Sequence, residues 1–216
     1  MWLSLAASVA LTAGVTSSPP RFLALGDSYT IGEGVASNEN WPHQLAAALH
    51  LGTPEVLART GWTTDELSAA MDARTFHPPY ALVTLLIGVN NQYRGRDPEN
   101  YRTEFRALLE RAIALAGGDA RRVVVVSIPD WGVTRFGAES GRDVAQIARE
   151  IDAFNAVAAN VSTALHARYA DITATSRDRG DAADMLVADG LHPSAAMYAR
   201  WLPAISMAAR ASLDGG

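Results

Sequence analysis

Three side chains of the sequence have the types and spacing that suit nucleophilic catalysis. Ser28 lies in the stretch GDS, and Asp189 precedes His192 by three residues in the stretch DGLHPS, near the other end of the chain. At that spacing a carboxylate can accept a hydrogen bond from Nδ1–H of the imidazole, which leaves Nε2 free to take a proton from a serine hydroxyl. A serine and an aspartate before a helix also commonly cap that helix. Ser28 together with the Asp189–His192 pair nevertheless predicts a catalytic triad of Ser28, Asp189 and His192.

The other four histidines suit the role of base less well. His43 and His50 lie seven residues apart on one predicted helix without a carboxylate partner nearby, His77 precedes two prolines, and His166 falls late in another helix. The sequence has no His-Glu-x-x-His pattern and no close cluster of carboxylates and histidines, so we expect no metal and no other cofactor.

A serine that attacks a carbonyl also needs hydrogen-bond donors for the oxyanion that forms. Gly61, in the stretch RTGWTT, has no Cβ, so its backbone N–H can approach a ligand closely. Asn90, in the stretch GVNN, offers a neutral side-chain NH₂. Each is also typical of an ordinary turn or of a loop amide that bonds its own backbone. Their order along the chain, Ser, Gly, Asn and then Asp-x-x-His, favours an oxyanion hole that includes Gly61 and Asn90.

The elements that must position these residues are read from the hydrophobic pattern. Short apolar runs predict five strands, at residues 21–26, 55–59, 82–88, 122–129 and 169–173. Segments of helical period predict helices at residues 41–51, 63–73, 98–116, 143–168 and 194–213. Strands that alternate with helices indicate an α/β fold with a parallel sheet covered on both faces, in one domain over residues 21–216. In such a sheet the loops at residues 26–34, 60–64, 88–95 and 129–141 lie together at the carboxyl ends of the strands, whereas Asp189 and His192 lie in a turn ahead of the last helix.

The composition excludes several classes of function. The chain has no cysteine, and all 18 of its basic residues are arginine. The absence of lysine rules out a serine–lysine dyad, a Schiff-base mechanism and a Walker-type phosphate loop. The net charge of -5, without a cluster of basic residues, argues against nucleic acid as a partner.

Residues 1–20 differ in character from the rest. Their apolar run, Trp2 to Val15, is shorter than the roughly 20 residues that a membrane-spanning helix needs, so we expect no stable membrane insertion. Its length suits the apolar part of a secretory signal, although no basic residue precedes it. We expect a signal peptide or an N-terminal extension here. The first would make the protein periplasmic or secreted, and the second would leave it cytoplasmic.

From Arg21 to Leu213 the chain resembles the SGNH hydrolases of the GDSL type. GDSYT is similar to the first sequence block of that family, RTGWTT holds the glycine of the second, GVNN is similar to the third, and DGLHPS is similar to the last. The resemblance implies a flavodoxin-like α/β/α sandwich, and it adds the backbone N–H of Ser28 to the oxyanion hole. Asn91 differs from the family pattern, which usually has an aspartate directly after the asparagine of the third block.

The expected activity is hydrolysis of a small-molecule carboxylic ester through an acyl-enzyme intermediate. The same residues would also serve a thioesterase, a lysophospholipase or a carbohydrate O-acetylesterase, and a non-catalytic carbohydrate- or lipid-binding module is a further alternative.

Four aromatic residues in the strand-end loops are candidates for the substrate pocket: Trp62, Tyr93, Trp131 and Phe136. They would equally suit a role as loop anchors. The loops contain no long amphipathic segment to act as a lid, so we expect short acyl chains. We also expect Arg94 and Arg96 near the rim of the site, where they would favour polar or anionic leaving groups.

Overall fold

The computed structural model describes residues 18–213. Five parallel strands form one sheet in the order β2-β1-β3-β4-β5. The strands are β1 (Phe22–Asp27), β2 (Glu55–Arg59), β3 (Leu82–Leu86), β4 (Val123–Val126) and β5 (Arg168–Ala170). The predicted α/β fold with a five-stranded parallel sheet is therefore confirmed. The predicted signal peptide or extension lies almost wholly outside the described residues and stays a prediction.

Helices cover both faces of this sheet. They are α1 (Ser28–Ile31), α2 (Trp41–Leu49), α3 (Thr64–Asp72), α4 (Val89–Tyr93), α5 (Pro98–Leu115), α6 (Arg135–Glu139), α7 (Val144–Ala164), α8 (Thr173–Arg177) and α9 (Ala195–Leu213). On one face α2 packs against α9, and on the other α5 packs against both α3 and α7. The result is a three-layer sandwich.

The five long helices agree with the sequence pattern, but two differences have clear causes. Helix α7 ends at Ala164 and not at the predicted Arg168, because the chain turns at His166, where φ is 59°, and enters β5. The short helices α1, α4, α6 and α8 were not predicted. Each has only four or five residues, too few to display a helical period.

The three central strands supply the core. Every residue of β1, β3 and β4 is buried, as a parallel sheet covered on both faces requires. Complete burial of one such Leu or Val side chain stabilises a fold by about 1.5–3 kcal/mol. Within residues 18–213, no helix is both long and apolar enough to cross a bilayer. The central strands thus form a rigid base, and the loops at their carboxyl ends rest on it.

Candidate active site

Ser28 lies at an abrupt turn from β1 into α1. Asp27 ends the strand and caps the helix, because its Oδ1 accepts a hydrogen bond of 3.0 Å from the backbone N–H of Tyr29. Gly26 permits the turn: a Cβ at this position would lie 2.4 Å from the carbonyl oxygen of Leu86 on β3. Ser28 is thereby held as the first helical residue at the carboxyl end of a central strand.

Asp27, the residue before Ser28, is completely buried. Its Oδ2 has no hydrogen-bond partner within the described part of the chain. Burial raises the pKa of Asp27 to about 7, and the hydrogen bond from Tyr29 offsets only part of that rise. Asp27 is therefore a buried helix cap whose carboxyl group is readily protonated, and it is not among the residues that line the pocket described below.

The predicted pair of Asp189 and His192 is hydrogen-bonded. Nδ1 of His192 lies 2.6 Å from Oδ2 of Asp189, and Oδ1 of Asp189 accepts backbone N–H groups from Leu191 at 2.8 Å and from His192 at 3.0 Å. Burial alone would raise the pKa of Asp189, but these hydrogen bonds outweigh it and hold the pKa below its usual value. An ionised Asp189 fixes the proton on Nδ1, so Nε2 is left as the basic atom.

The imidazole is also fixed by packing. His192 is only 8% exposed, and its ring lies 5.5 Å from the ring of Tyr29, centroid to centroid. Tyr29 in turn packs against Trp201 of α9 at 6.3 Å. Tyr29, the residue after Ser28, thus supports the imidazole of His192, a contact that the sequence did not reveal.

One pocket joins the serine, the histidine and the two predicted donors. Its volume is about 220 Å³, and it is lined by Ser28, Tyr29, Thr60, Gly61, Val89, Asn90, Tyr93, Trp131, Phe136, Leu191 and His192. The structure therefore brings together Ser28, His192, Gly61 and Asn90, with Asp189 behind the histidine. Tyr29, Thr60, Val89 and Leu191 were not predicted, although each is adjacent in sequence to a predicted residue.

Gly61 and Asn90 lie on facing segments at the pocket wall. Gly61 has a φ of 85°, in the left-handed region that favours glycine. The side-chain Nδ2 of Asn90 donates a hydrogen bond of 2.9 Å to the carbonyl oxygen of Trp62, the residue after Gly61. An amide NH₂ has two hydrogens, so this bond orients the group and leaves the second hydrogen for a ligand.

Three of the four predicted aromatic residues form one wall of the pocket. The ring centroid of Trp131 lies 5.3 Å from that of Tyr93 and 5.9 Å from that of Phe136. Trp62 is not among the lining residues: its side chain packs against the hydrophobic core, and only its carbonyl serves the site. The expectation that Trp62 lines the pocket is corrected accordingly.

The arginines at the rim are all paired with carboxylates. Arg94 bonds Glu66 at 3.3 Å and the carbonyl oxygen of Gly61 at 2.7 Å, and Arg96 bonds Asp65 at 2.6 Å. The expectation that Arg94 and Arg96 favour anionic leaving groups is thereby weakened, because their charges are already balanced.

A third arginine, which the sequence did not single out, lies against the aromatic wall. The guanidinium of Arg142 is 5.2 Å from the ring centroid of Trp131 and pairs with Glu150 at 2.9 Å. It packs on the wall from outside the pocket lining and so braces the aromatic cluster. Across residues 18–213, no three His, Asp or Glu side chains are grouped so that they would hold a metal ion.

Solved structures share this fold. TesA is 22% identical with a TM-score of 0.69, and the match covers 89% of this chain and 99% of TesA. The esterase EstA from Pseudoalteromonas sp., in a structure inhibited by monoethylphosphonate, is 18% identical with a TM-score of 0.66, covering 90% and 99%. Phospholipase A1 from Streptomyces albidoflavus NA297 is 21% identical with a TM-score of 0.64, covering 88% and 99%. At these identities the likeness shows the fold alone.

No curated protein matches the chain. A family model, in contrast, matches most of it. The model is that of the GDSL-like lipase/acylhydrolase family, and the match extends over residues 24–200, from within β1 to beyond the Asp189–His192 pair. The chain therefore belongs to the GDSL-like lipase/acylhydrolase family.

Proposed function

We propose that the protein is a serine hydrolase of short-chain carboxylic esters. Membership of its family already implies hydrolysis of ester bonds. The observation that carries the finer proposal is the position of His192, which is oriented by Asp189 at 2.6 Å and shares one pocket with Ser28, Gly61 and Asn90. The proposed nucleophile, base and oxyanion donors thus line one small cavity.

In the proposed reaction, Nε2 of His192 takes the hydroxyl proton of Ser28 while Oγ attacks the acyl carbon. The backbone N–H groups of Ser28 and Gly61 and the free Nδ2 hydrogen of Asn90 stabilise the negative oxygen. His192 then gives its proton to the leaving alcohol as the carbon–oxygen bond breaks. A water molecule, deprotonated by His192, then attacks the acyl-enzyme, the bond between the acyl carbon and Oγ breaks, and His192 returns its proton to Ser28 as the acid is released.

The preference for short acyl chains is supported by the pocket wall. Tyr93, Trp131 and Phe136 close one side, and Trp131 is only 2% exposed. The lining segments at the mouth are the five-residue helices α4 and α6, which are too short to act as an amphipathic lid. We therefore expect faster hydrolysis of acetyl and butyryl aryl esters than of palmitoyl esters, without activation at an oil–water interface.

A phosphonate ester probe tests the nucleophile. We expect a single label on Ser28, identified by mass spectrometry of the digested protein, and loss of both label and turnover in Ser28→Ala. The matched control is Ser127→Ala, because Ser127 is a buried serine of the same sheet edge that does not line the pocket. A label on any other serine would refute the assignment.

Lipid esters are a second candidate substrate class, favoured by one observation. Tyr93 lines the pocket mouth and is 48% exposed, so an apolar chain longer than the pocket would meet an aromatic surface outside it. Lysophospholipids, thioesters and acetylated glycans belong in the same assay panel as the aryl esters. Faster turnover of a long-chain lysophospholipid than of aryl acetate would replace the short-chain proposal, and no turnover of any ester by the intact protein would favour a binding module.

A further inference from the structure

Two adjacent asparagines hold the loop of residues 60–64, here named the oxyanion loop because it contains Gly61. Asn90 donates to the carbonyl of Trp62, as described above. Asn91 uses both ends of its amide on Thr64: Oδ1 accepts the backbone N–H at 3.1 Å, and Nδ2 donates to Oγ1 at 2.7 Å. Asn91 is completely buried. The loop is therefore bonded to α4 at two residues that follow Gly61, Trp62 and Thr64.

The hydroxyl of Thr64 extends these hydrogen bonds to helix α5. It donates a hydrogen bond to Oε2 of Glu104, whose Oε1 accepts from Nδ2 of Asn100 at 2.8 Å. A threonine hydroxyl has one hydrogen to give. Because that hydrogen goes to Glu104, the atom of residue 91 that faces Oγ1 must be a donor. The chain of hydrogen bonds thus runs in one direction, from Asn91 through Thr64 to Glu104.

We propose that Asn91, Thr64 and Glu104 are positioning residues for the oxyanion hole, and that Glu104 is the reason why residue 91 is an asparagine. An aspartate at position 91 would place a second carboxylate beside the hydroxyl of Thr64. The single hydroxyl hydrogen would then have to serve two negative charges, one buried at residue 91 and one half-buried at Glu104. The inference rests on the oxyanion role proposed above for Gly61 and Asn90.

Loss of these hydrogen bonds would affect the reaction by displacing the oxyanion donors. Donors stabilise an oxyanion only when they are held close to the position that the oxygen will occupy, and a displacement of about 1 Å in a reactive site can lower the rate about 10²-fold. The oxyanion contacts are made mainly in the transition state. Movement of the oxyanion loop is therefore expected to lower kcat more than it raises KM.

The test reverses the direction of the hydrogen bonds. Asn91→Asp alone is expected to lower kcat for an aryl acetate about tenfold or more and to lower Tm. The loss of Tm should be larger at pH 8 than at pH 5, because protonation of the new carboxyl group at residue 91 supplies the missing hydrogen. In the double variant Asn91→Asp with Glu104→Gln, the new amide donates to Thr64 and Thr64 donates to the new carboxylate. This variant should regain most of kcat and Tm.

The matched control combines Asn91→Asp with Glu110→Gln. Glu110 lies on the same helix and pairs with Arg106 at 2.9 Å on the surface, so its change removes the same charge away from Thr64. We expect no rescue. Equal rescue by Glu104→Gln and Glu110→Gln, or wild-type kcat in Asn91→Asp, would overturn the inference, as would a fall in Tm without a change in kcat.

Failure to fold leaves the test intact. If Asn91→Asp is insoluble, recovery of soluble protein by Glu104→Gln but not by Glu110→Gln supports the hydrogen-bond chain, and recovery by neither overturns it. Labelling and turnover of the unmodified protein report separately on the proposed function. An inactive wild-type protein refutes that function, whereas an active wild-type protein without rescue refutes only the hydrogen-bond chain.

Discussion

Replacement of Asp189 by asparagine should disable His192 in its proposed role as base while leaving the fold intact. An asparagine has nearly the same shape and can keep its oxygen at the position of Oδ1, where it accepts the backbone N–H groups of Leu191 and His192. Its NH₂ group then faces Nδ1 of His192 at the position of Oδ2. Two donors cannot share that bond, so the imidazole must carry its proton on Nε2, where it cannot accept one from Ser28.

The amide can escape this state only by rotating through a half turn. Rotation restores an acceptor for Nδ1–H, but it places NH₂ against the two backbone N–H groups and loses two hydrogen bonds of about 1 kcal/mol each. About 2 kcal/mol corresponds to a ratio of roughly 30 in favour of the unproductive orientation. The variant also loses the negative charge of Asp189, which stabilises the imidazolium of His192, and this loss lowers the rate further. We therefore expect kcat/KM of Asp189→Asn to fall at least about 30-fold, and by as much as about 10⁴-fold.

Hydrolysis of an aryl acetate, followed across pH 5 to 9, measures this loss. Thermal unfolding at the same pH values is the control, and we expect Tm to change little because the backbone hydrogen bonds of the turn are kept. Asp189→Ala, which removes them, should lower both activity and Tm. Activity of Asp189→Asn within threefold of the wild type would show that the carboxylate does not set the tautomer of His192.

The remaining predictions concern the oxyanion donor, the buried cap and the aromatic wall. Asn90→Ala should stay folded and lose about 10²- to 10³-fold in kcat, and equal rates for Asn90→Ala and wild type would remove Asn90 from the oxyanion hole. Burial raises the pKa of Asp27 to about 7, above the ordinary aspartate value of about 3.9. This group therefore lowers stability as pH rises from about 4 to about 7, by up to about 1.4 kcal/mol per pH unit. Asp27→Asn removes that contribution, so its Tm relative to wild type should be higher at pH 8 than at pH 5, and an unchanged difference would refute the buried neutral carboxyl. Phe136→Ala should open the pocket and raise the ratio of octanoyl to acetyl ester hydrolysis, whereas an unchanged ratio would place the acyl chain elsewhere.

The sequence by itself determined the architecture, because hydrophobic period is a local property of each element. The short β-branched run VVVV of β4 predicts a strand buried on both faces, and the long stripe of α7 predicts a helix packed along one side. The family resemblance was equally readable, since its motifs are short stretches such as GDS and DGLHPS. Elements of a single turn, such as α1 and α4, were missed because four or five residues carry no period.

The tertiary structure decided which side chains meet. Strand β1 lies between β2 and β3, so the segments that carry Ser28, Gly61 and Asn90 become neighbours, although Gly61 follows Ser28 by 33 positions and Asn90 follows Gly61 by 29. Only this arrangement shows that Trp62 turns its side chain to the core, that the rim arginines are paired, and that the hydroxyl of Thr64 gives its hydrogen to Glu104. Such contacts depend on the order of strands and on the direction of each hydrogen bond. Strand order and hydrogen-bond direction leave no pattern along the chain, because the bonded residues come from different elements. The direction of each bond also depends on the other hydrogen bonds that the same atoms make.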